Sequence, residues 1–395
     1  MTETLKPGWR RVKFGDAVRL SKARSQNPLA DGLERYVGLE HLEPGDLRIR
    51  SWGNVADGTT FTNRFEPGQV LFGKRRAYQR KVAVADFAGV CSGDIYVLES
   101  KDTDVLLPEL LPFICQTDAF FEHAVWTSAG SLSPRTNWTS LAGFEFLLPP
   151  IDEQLRRVER LRSVDSARST QAGALVELHR LRKAMIDHLL ALSDDHVRRG
   201  RLEEFVTMQN GRPFPGDEYS DSGVKLLRPG NLGVSGYLSW PHDKTVFLDP
   251  SWENEADDFV IEPGDVVINL TAQSLEDGFM GRVCLAREGD KSLLNQRIGR
   301  FRCQGEAVLP EYLYRSLQTS RFRHHAHANC EGSKVKHLFW QHLAKYEISV
   351  PDLATQQEVI AQCAAIDEAI DEISARLAMS SLLAARVTNE LATEG

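Results

Sequence analysis

LPPIDEQLRRV, residues 148–158, reads as the end of a strand running into a helix, and its shape returns as VPDLATQQEVI at residues 350–360. The offset is 202. Gly130-Ser131 against Gly332-Ser333 and Pro108-Glu109 against Pro310-Glu311 repeat at the same offset. Three separated anchors at one spacing make the chain two copies of one module, with the quoted motif as the junction between a globular part and a long helix.

Downstream of each junction lies a proline-free polar stretch, residues 151–192 and 355–392, that reads as a long helix. In the second, steps of four and three run through Val359, Cys363, Ile366, Ile370, Ile373, Leu377, Ser380, Ala384, Val387 and Leu391, the seam of a coiled coil. The first gives Leu161, Val164, Arg168, Gln171, Leu175, Leu178, Arg182, Met185 and Leu189, a weaker seam with three polar positions. Asp152 and Glu153 suit a helix N-terminus, and Thr355-Gln356-Gln357-Glu358 has capping-box spacing. The first helix is rich in arginine, including Arg156, Arg157, Arg160, Arg162, Arg180 and Arg182, with Lys183 beside them; the second carries Asp367, Glu368, Asp371 and Glu372. Opposite signs select a partner helix and disfavour self-pairing, so the two helices are expected to pack antiparallel within one chain.

Upstream of each helix, runs such as QVLFG, KVAVADF, DIYVLE, DVVINL and RIGRFRC read as strands cut by turns. PELLPFICQTDAFFEHAV and PEYLYRSLQTSRFRHHAH each read as one matching helix. The expected fold class is α/β (α+β), a pseudo-twofold repeat of two similar globular domains separated by two long antiparallel coiled-coil helices. The expected divisions are 1–150, first globular domain; 151–199, first spacer helix and linker; 200–350, second globular domain; 351–395, second spacer helix.

Composition sets the outer bounds. A chain of 395 residues suits two domains, no run is long and apolar enough for a membrane span, and MTETLKPGW lacks the pattern of a signal peptide, which points to the cytoplasm. Six scattered cysteines with no CxxC fit a reducing compartment. The net charge of -8 is uneven, since residues 351–395 hold two Lys/Arg against eight Asp/Glu. A nearly neutral domain still has room for a basic face, so the overall sign does not exclude nucleic acid.

The residues best suited to DNA lie in GKRRAYQRK, residues 73–81. Lys74, Arg75, Arg76, Arg80 and Lys81 can neutralise phosphates, Tyr78 can stack and Gln79 offers a bidentate amide; a solvated turn is the plainer reading. In AGSLSPRTNW, Gly130 and Ser131 let backbone amides approach a phosphate while Arg135 and Asn137 reach for bases; EGSKVKHLFW offers Gly332, Ser333, Lys334 and Lys336 at the same place. Arg212, Arg228, Asn231, Asn269, Thr271, Gln273, Gln296 and Arg297 are the further candidates in the second copy, and Arg24 aligns with Arg212 at an offset of 188. All are equally ordinary loop residues.

Two other chemistries have a hook. His324, His325, His327 and Cys330 suggest a metal, but they lack a zinc-like spacing and the first copy has no such cluster. Asp86 with Glu99-Ser100-Lys101 is a loose arrangement for a Mg²⁺ nuclease, absent from the second copy. There is no Asn/Asp-Pro-Pro-aromatic methylation motif, no phosphate-loop motif and no nucleophile elbow. No catalytic residue and no metal ligand is therefore assigned.

The order variable module, long helix, variable module, long helix, with GQVLFGKRRAYQRKVAVADFAGVCSGDIYVLE, AGSLSPRTNW and LLPPIDEQLRRV, resembles the specificity subunit of type I restriction-modification systems over essentially the whole chain. The resemblance implies two target-recognition domains, each reading half of an interrupted site in double-stranded DNA, and a subunit that is not itself an enzyme. It implies helices, with Glu153, Gln154, Gln356 and Gln357 at their heads, that dock two copies of an adenine methyltransferase subunit, possibly joined by restriction subunits. S-adenosylmethionine would belong to the methyltransferase, ATP and Mg²⁺ to a restriction subunit, and no cofactor to this chain. A helix of roughly 40 residues, about 60 Å long, would exceed one DNA turn of about 34 to 36 Å and could set the gap between half-sites. The second copy departs from the pattern, with Thr355 in place of Glu153 and VVINLTAQSLEDG in place of the basic run. A self-sufficient nuclease, or an assembly module of another defence system, is the alternative.

Overall fold

Short β-rich runs followed by one long amphipathic run, twice over, sort into two compact units in the computed structural model, which describes residues 5–191 and 197–393. The expected linker falls partly at 192–196, outside the described residues. Residues up to Gly173 together with those from Ser374 onward form one unit, and Ala174–Ile373 form the other.

In the first unit the strands are β1 (Arg10–Lys13), β2 (Val18–Leu20), β3 (Arg35–Val37), β4 (Gly53–Asn54), β5 (Asn63–Phe65), β6 (Val70–Gly73), β7 (Val82–Val84), β8 (Gly89–Cys91), β9 (Ile95–Ser100) and β10 (Glu145–Leu148). Helices α1 (Phe14–Ala17), α2 (Leu111–Ile114), α3 (Asp118–Trp126) and α4 (Trp138–Ala142) precede the long α5 (Ile151–Leu189). The sheets run β2-β9-β6-β7, β4-β3-β8-β5 and β1-β10. All pairs are antiparallel except β3 with β8.

The second unit repeats this plan. Its strands are β11 (Arg198–Arg201), β12 (Val206–Asn210), β13 (Val224–Leu227), β14 (Val246–Leu248), β15 (Val260–Ile261), β16 (Val266–Asn269), β17 (Thr271–Ala272), β18 (Val283–Leu285), β19 (Ser292–Leu294), β20 (Ile298–Cys303), β21 (Lys336–His337) and β22 (Glu347–Val350). Its helices are α6 (Trp252–Glu255), α7 (Pro310–Ser316), α8 (Ser320–Ala328), α9 (Trp340–Leu343) and the long α10 (Leu353–Thr393). The sheets run β12-β20-β16-β18, β14-β13-β19-β15 with β13 and β19 parallel, β11-β22 and the short β17-β21. Order and direction match in both four-stranded sheets and in the terminal pair, with β17-β21 added in the second unit, so the class is a mixed α+β fold, twice.

Each expected single helix after the PE pairs is two helices. Thr117 and Thr319 are extended and cap α3 and α8, accepting from Phe120 N–H and Phe322 N–H. Each threonine hydroxyl also donates to the preceding turn, at Ile114 or Ser316 carbonyl, so it closes one helix while opening the next.

The junction motif folds around a buried glutamine. Gln154 accepts from Leu107 N–H at 2.9 Å and donates to the Val105 and Pro149 carbonyls. Gln356 accepts from Leu309 N–H at 2.9 Å and donates to the Ala307 and Pro351 carbonyls. The partners are the same three positions shifted by 202. These two residues, expected at a partner surface, therefore lie inside their own units, because an amide that both donates and accepts satisfies three backbone groups there. Gln357 is exposed, and Glu153 is engaged by Arg156 and Arg157. The expected Thr355 cap is corrected as well: α10 begins at Leu353, and Asp352 accepts from Thr355 N–H at 3.0 Å.

Every position of both seams is buried or half-buried. In the first unit Val158, Leu161, Val387 and Leu391 enter one core with Phe14, Phe72, Phe120 and Phe146. In the second, Ile186, Val359 and Cys363 join Phe205, Tyr312 and Phe322. Within each unit, residues early in one helix meet residues late in the other, which is antiparallel packing. Of the charges expected to pair, Arg182 meets Asp367, while Arg160 approaches Glu390 and Asp371 is taken by Arg287.

Asp367 is buried and also receives Arg315 at 2.6 Å and the Tyr237 hydroxyl. Burial pushes its carboxyl up; the charges of Arg182 and Arg315 and the hydrogen bonds from Tyr237 and Arg182 outweigh that and hold it below the usual carboxylate range.

Two stability changes follow from these contacts. Gln154→Leu or Gln356→Leu strands one N–H and two carbonyls and should cost about 3 kcal/mol in denaturant unfolding. Asp367→Asn leaves Arg182 and Arg315 without a counter-charge and should cost about 3 to 5 kcal/mol. Because the Asp367 carboxyl is depressed, its contribution is complete above the usual carboxylate range and lost as the pH falls through the depressed value, so the difference between Asp367→Asn and wild type should shrink on acidification.

Candidate nucleic-acid interface

Between β6 and β7 the chain leaves the sheet and returns, closed by Gly73 N–H on Lys81 carbonyl at 3.0 Å. A short 3₁₀ turn, Ala77–Gln79, forms the tip, and both flanking residues, Arg76 (φ 53) and Arg80 (φ 56), are left-handed. A residue with a Cβ pays roughly 1 to 3 kcal/mol for that backbone, so surrounding contacts must hold it. Arg76 N–H donates to Pro134 carbonyl at 2.7 Å. Arg80 pairs with Asp118, donates to Gln116 carbonyl and lies over the Phe121 ring. Ala77 is buried beneath the turn, and Tyr78 is left 55% exposed above it.

The second candidate loop packs against the first. Ala129 and Arg135 exchange both backbone hydrogen bonds at 3.0 Å, with Gly130 at φ 107 between them. Arg75 bridges Arg135, and Thr136 N–H donates to Lys74 carbonyl at 3.0 Å. Asp94, in the turn between β8 and β9, ties the two loops together. It accepts from Arg135 Nε at 2.8 Å and from Arg75 Nη1 at 3.3 Å. The Arg135 hydrogen bond, with the charges of both arginines and against partial burial, holds the Asp94 carboxyl below its usual range. Arg75 and Arg76 both donate to Ser133 Oγ.

The fold thus unites GKRRAYQRK with AGSLSPRTNW on one face. Lys74 lies over the Tyr96 ring, and Gly130, Ser131 and Arg135 are exposed beside it. Gln79 is half-buried in the turn. Lys81 is half-buried and donates to Leu39 carbonyl at 2.7 Å, and Arg80, though exposed, is paired with Asp118, so neither presents a free charge as expected. Asn137 is exposed, but its Oδ1 caps α4 through Ser140 N–H. Arg24 is exposed, and its backbone bridges Asn63, which in turn donates to Ser92 carbonyl at the head of the Asp94 turn.

The second unit builds the same node. Lys74 N–H donates to Asp94 carbonyl in the first unit, and Leu270 N–H donates to Arg297 carbonyl in the second; Thr136 N–H to Lys74 carbonyl is matched by Leu338 N–H to Leu270 carbonyl. Strands β17 and β21 pair Thr271 with His337, the counterpart of Arg75 with Arg135. Glu331 and His337 close the loop, and Gly332 has φ 106. A Cβ at Gly332 would stand 2.1 Å from Val335 carbonyl, whereas at Gly130 the nearest atom is 3.7 Å away, so the positive φ common to both is what the repeated glycine supplies.

Side chains on this node differ. Gln273, Gln296, Arg297, Ser333 and Lys334 are exposed and Lys336 is half-buried. Arg212 joins through its bridge to Asn295, with its guanidinium among the Phe214, Trp252 and Phe259 rings. Arg228 is exposed near the Tyr219 ring. Asn231 and Asn269 are corrections, because both are fully buried. Asn231 accepts from Arg228 N–H and donates to Ser239 carbonyl; Asn269 donates to the Thr271 and Phe279 carbonyls. They shape the loops from inside. Asp94 was missed as an organiser; its carboxylate in the SGD turn was the available signal.

The other chemistries find no support in these contacts. His325 sets Nε2 3.0 Å from His342 carbonyl, just as His123 sets Nε2 2.8 Å from Ser140 carbonyl, so that histidine is a repeated structural residue. Among the described residues no three His, Cys, Asp or Glu side chains group as metal ligands. Glu99 accepts from Arg19 and Gln69, and Lys101 donates to Gly15 carbonyl. Among the described residues no helix is long and apolar enough to cross a membrane.

Residues 196–377 match the type I restriction modification DNA specificity domain. Over 392 residues the chain is 21% identical to the type I restriction enzyme MjaVIII specificity subunit of Methanocaldococcus jannaschii, covering 92% of this chain and 87% of that protein. Over 192 residues it is 29% identical to the EcoDI specificity subunit of Escherichia coli, covering 45% of this chain and 40% of that one. The type I restriction-modification S subunit from M. genitalium has the same fold, with a TM-score of 0.61 at 12% identity over 100% of this chain and 98% of its own. A chain from a structure on complex assembly and conformational transition of the type I R-M system gives 0.59 at 18% identity, with 98% of each covered. With its repeated module, its long helices and a DNA specificity domain matched over residues 196–377, the chain is similar along nearly its whole length to type I restriction-modification specificity subunits.

Proposed function

We propose that each unit of this DNA specificity subunit reads one half of an interrupted double-stranded site through its loop node. One observation carries this reading: two backbone hydrogen bonds recur at Lys74, Asp94 and Thr136 and at Leu270, Arg297 and Leu338, while the side chains mounted on them differ. A constant frame with variable donors and acceptors suits two different half-sites. In the first unit, Lys74, Arg75, Arg76 and Arg135 take phosphates and Tyr78 and Gln79 face bases. In the second, Arg212, Gln273, Gln296, Arg297, Lys334 and Lys336 do this work.

The long helices are proposed to set the gap and to dock two copies of an adenine methyltransferase, with Glu153 and Gln357 at the accessible helix heads. The chain then contributes recognition and no catalysis. S-adenosylmethionine binds the methyltransferase, ATP and Mg²⁺ bind restriction subunits where these join, and the complex acts in the cytoplasm.

Methylome sequencing of cells expressing the chain with its methyltransferase should show adenine methylation at one fixed two-part motif. Replacing residues 1–150 with those of another such subunit should change one half and keep the other; a change in both halves, or in neither, overturns the one-unit, one-half assignment. Lys74→Ala and Arg76→Ala should each weaken duplex binding across sequences and reduce the salt slope of log K by about 1, and an unchanged slope in salt titrations counts against phosphate contact.

A further inference from the structure

Beside the cationic side chains of the first node stand two large apolar ones outside the core. Leu132, at the tip of the 129–135 loop, is 91% exposed, and Trp126, at the end of α3, is 85% exposed. Exposure of a lone apolar residue is ordinary on a protein surface. The mounting of Leu132 is not. Its loop is closed by the Ala129–Arg135 pair, anchored by Arg135 on Asp94, and gripped at Ser133 by Arg75 and Arg76 and at Pro134 by Arg76 N–H. The strained backbone at Arg76 is spent partly on this grip. A branched apolar side chain is therefore held outward on a stiff support with Ser133, Arg75, Arg76 and Arg135 around its loop, while Val125 and Trp126 are exposed at the end of α3.

A protein-docking surface of useful strength needs contiguous apolar area. Arginines and serine hydroxyls around one protruding leucine match a duplex instead: phosphates on either side, and between them a base step into which an apolar wedge can slip. The counterpart of Leu132 at the offset of 202 is Lys334, and that of Trp126 is Ala328. The repeat therefore places no large apolar side chain at either position, although Val335 and Phe339 are partly exposed in and beside the second loop.

We infer that Leu132 is a wedge that enters the base stack at or beside the half-site read by the first unit, which makes the ease of opening one base step part of the recognition. This rests on the proposal that the node binds DNA. Flexible pyrimidine–purine steps are the sequences it favours.

The test uses the full chain assembled with its methyltransferase and duplexes carrying the methylated motif, with 2-aminopurine placed in turn along the first half-site. Wild type should brighten the probe at one step apart from the methylation target, which brightens through base flipping in any case. Leu132→Ala should lose that signal, keep the flipped-base signal and bind about tenfold more weakly, while Leu132→Met keeps both. A mismatch at the same step should restore the affinity of Leu132→Ala, since the stack is already open, but should not rescue Lys74→Ala. Wild-type binding that Leu132→Ala leaves unchanged overturns the wedge and spares the DNA reading. A loss of methyltransferase assembly in place of DNA affinity assigns the side chain to a protein contact and also overturns it. A wild-type assembly that binds no duplex overturns both.

Discussion

A glutamine amide buried at the head of each long helix is the constraint on which the architecture depends. Gln154 and Gln356 each satisfy one N–H and two carbonyls drawn from the loop before the PE helices and from the proline that ends the last strand. A glutamate in that place could not donate, and an apolar side chain would leave three polar groups dry and unpaired. With the amide in place, the first turn of the helix cannot rotate against its globular module. The seam residues that follow then point into the module's core, and the same geometry is produced twice at an offset of 202.

Because the frame is fixed in this way, the loops on it are free to vary. Asp94 and Arg297 occupy equivalent turns and offer the same carbonyl to the same neighbour, yet carry opposite charges. In the first unit Asp94 neutralises part of an arginine cluster and aligns what remains; in the second the arginine itself faces solvent from that turn. Net charge is blind to such exchanges, which is why -8 for the whole chain coexists with basic side chains gathered at these nodes.

Repetition and period were the parts of this molecule open to reading from residues. The offset of 202 needs only identity of spacing, and the helical seam needs only steps of three and four, so both survive without knowledge of any distant contact. Polar residues were harder. Asn231, Asn269, Gln154 and Gln356 look like surface residues by type, and only backbone groups elsewhere in the fold decide that they are interior. Arg80 and Lys81 look like free charges until Asp118 and the Leu39 carbonyl are brought to them. The break at Thr117 was hidden for a related reason: a threonine within an apolar helical period is a weak signal until its hydroxyl is seen to close one turn and open the next.

Charged residues flanking the seams show what such side chains contribute. Asp165 and Asp367 are equivalent by the repeat, but Asp165 meets Arg48 and Arg168 in a partly open setting, whereas Asp367 is enclosed with Arg182, Arg315 and Tyr237. Desolvating an ion pair returns little net stability, so the enclosed cluster is a poor substitute for apolar packing if stability is the measure. Its effect is selective. Any pairing in which α10 meets a helix lacking an arginine at the position of Arg182 would bury Asp367 with a weakened counter-charge, and a slip by one turn would do the same. The hydrophobic seam alone tolerates several registers; the charge inside it tolerates one, and a subunit proposed to measure a fixed gap along DNA needs its helices held in one register.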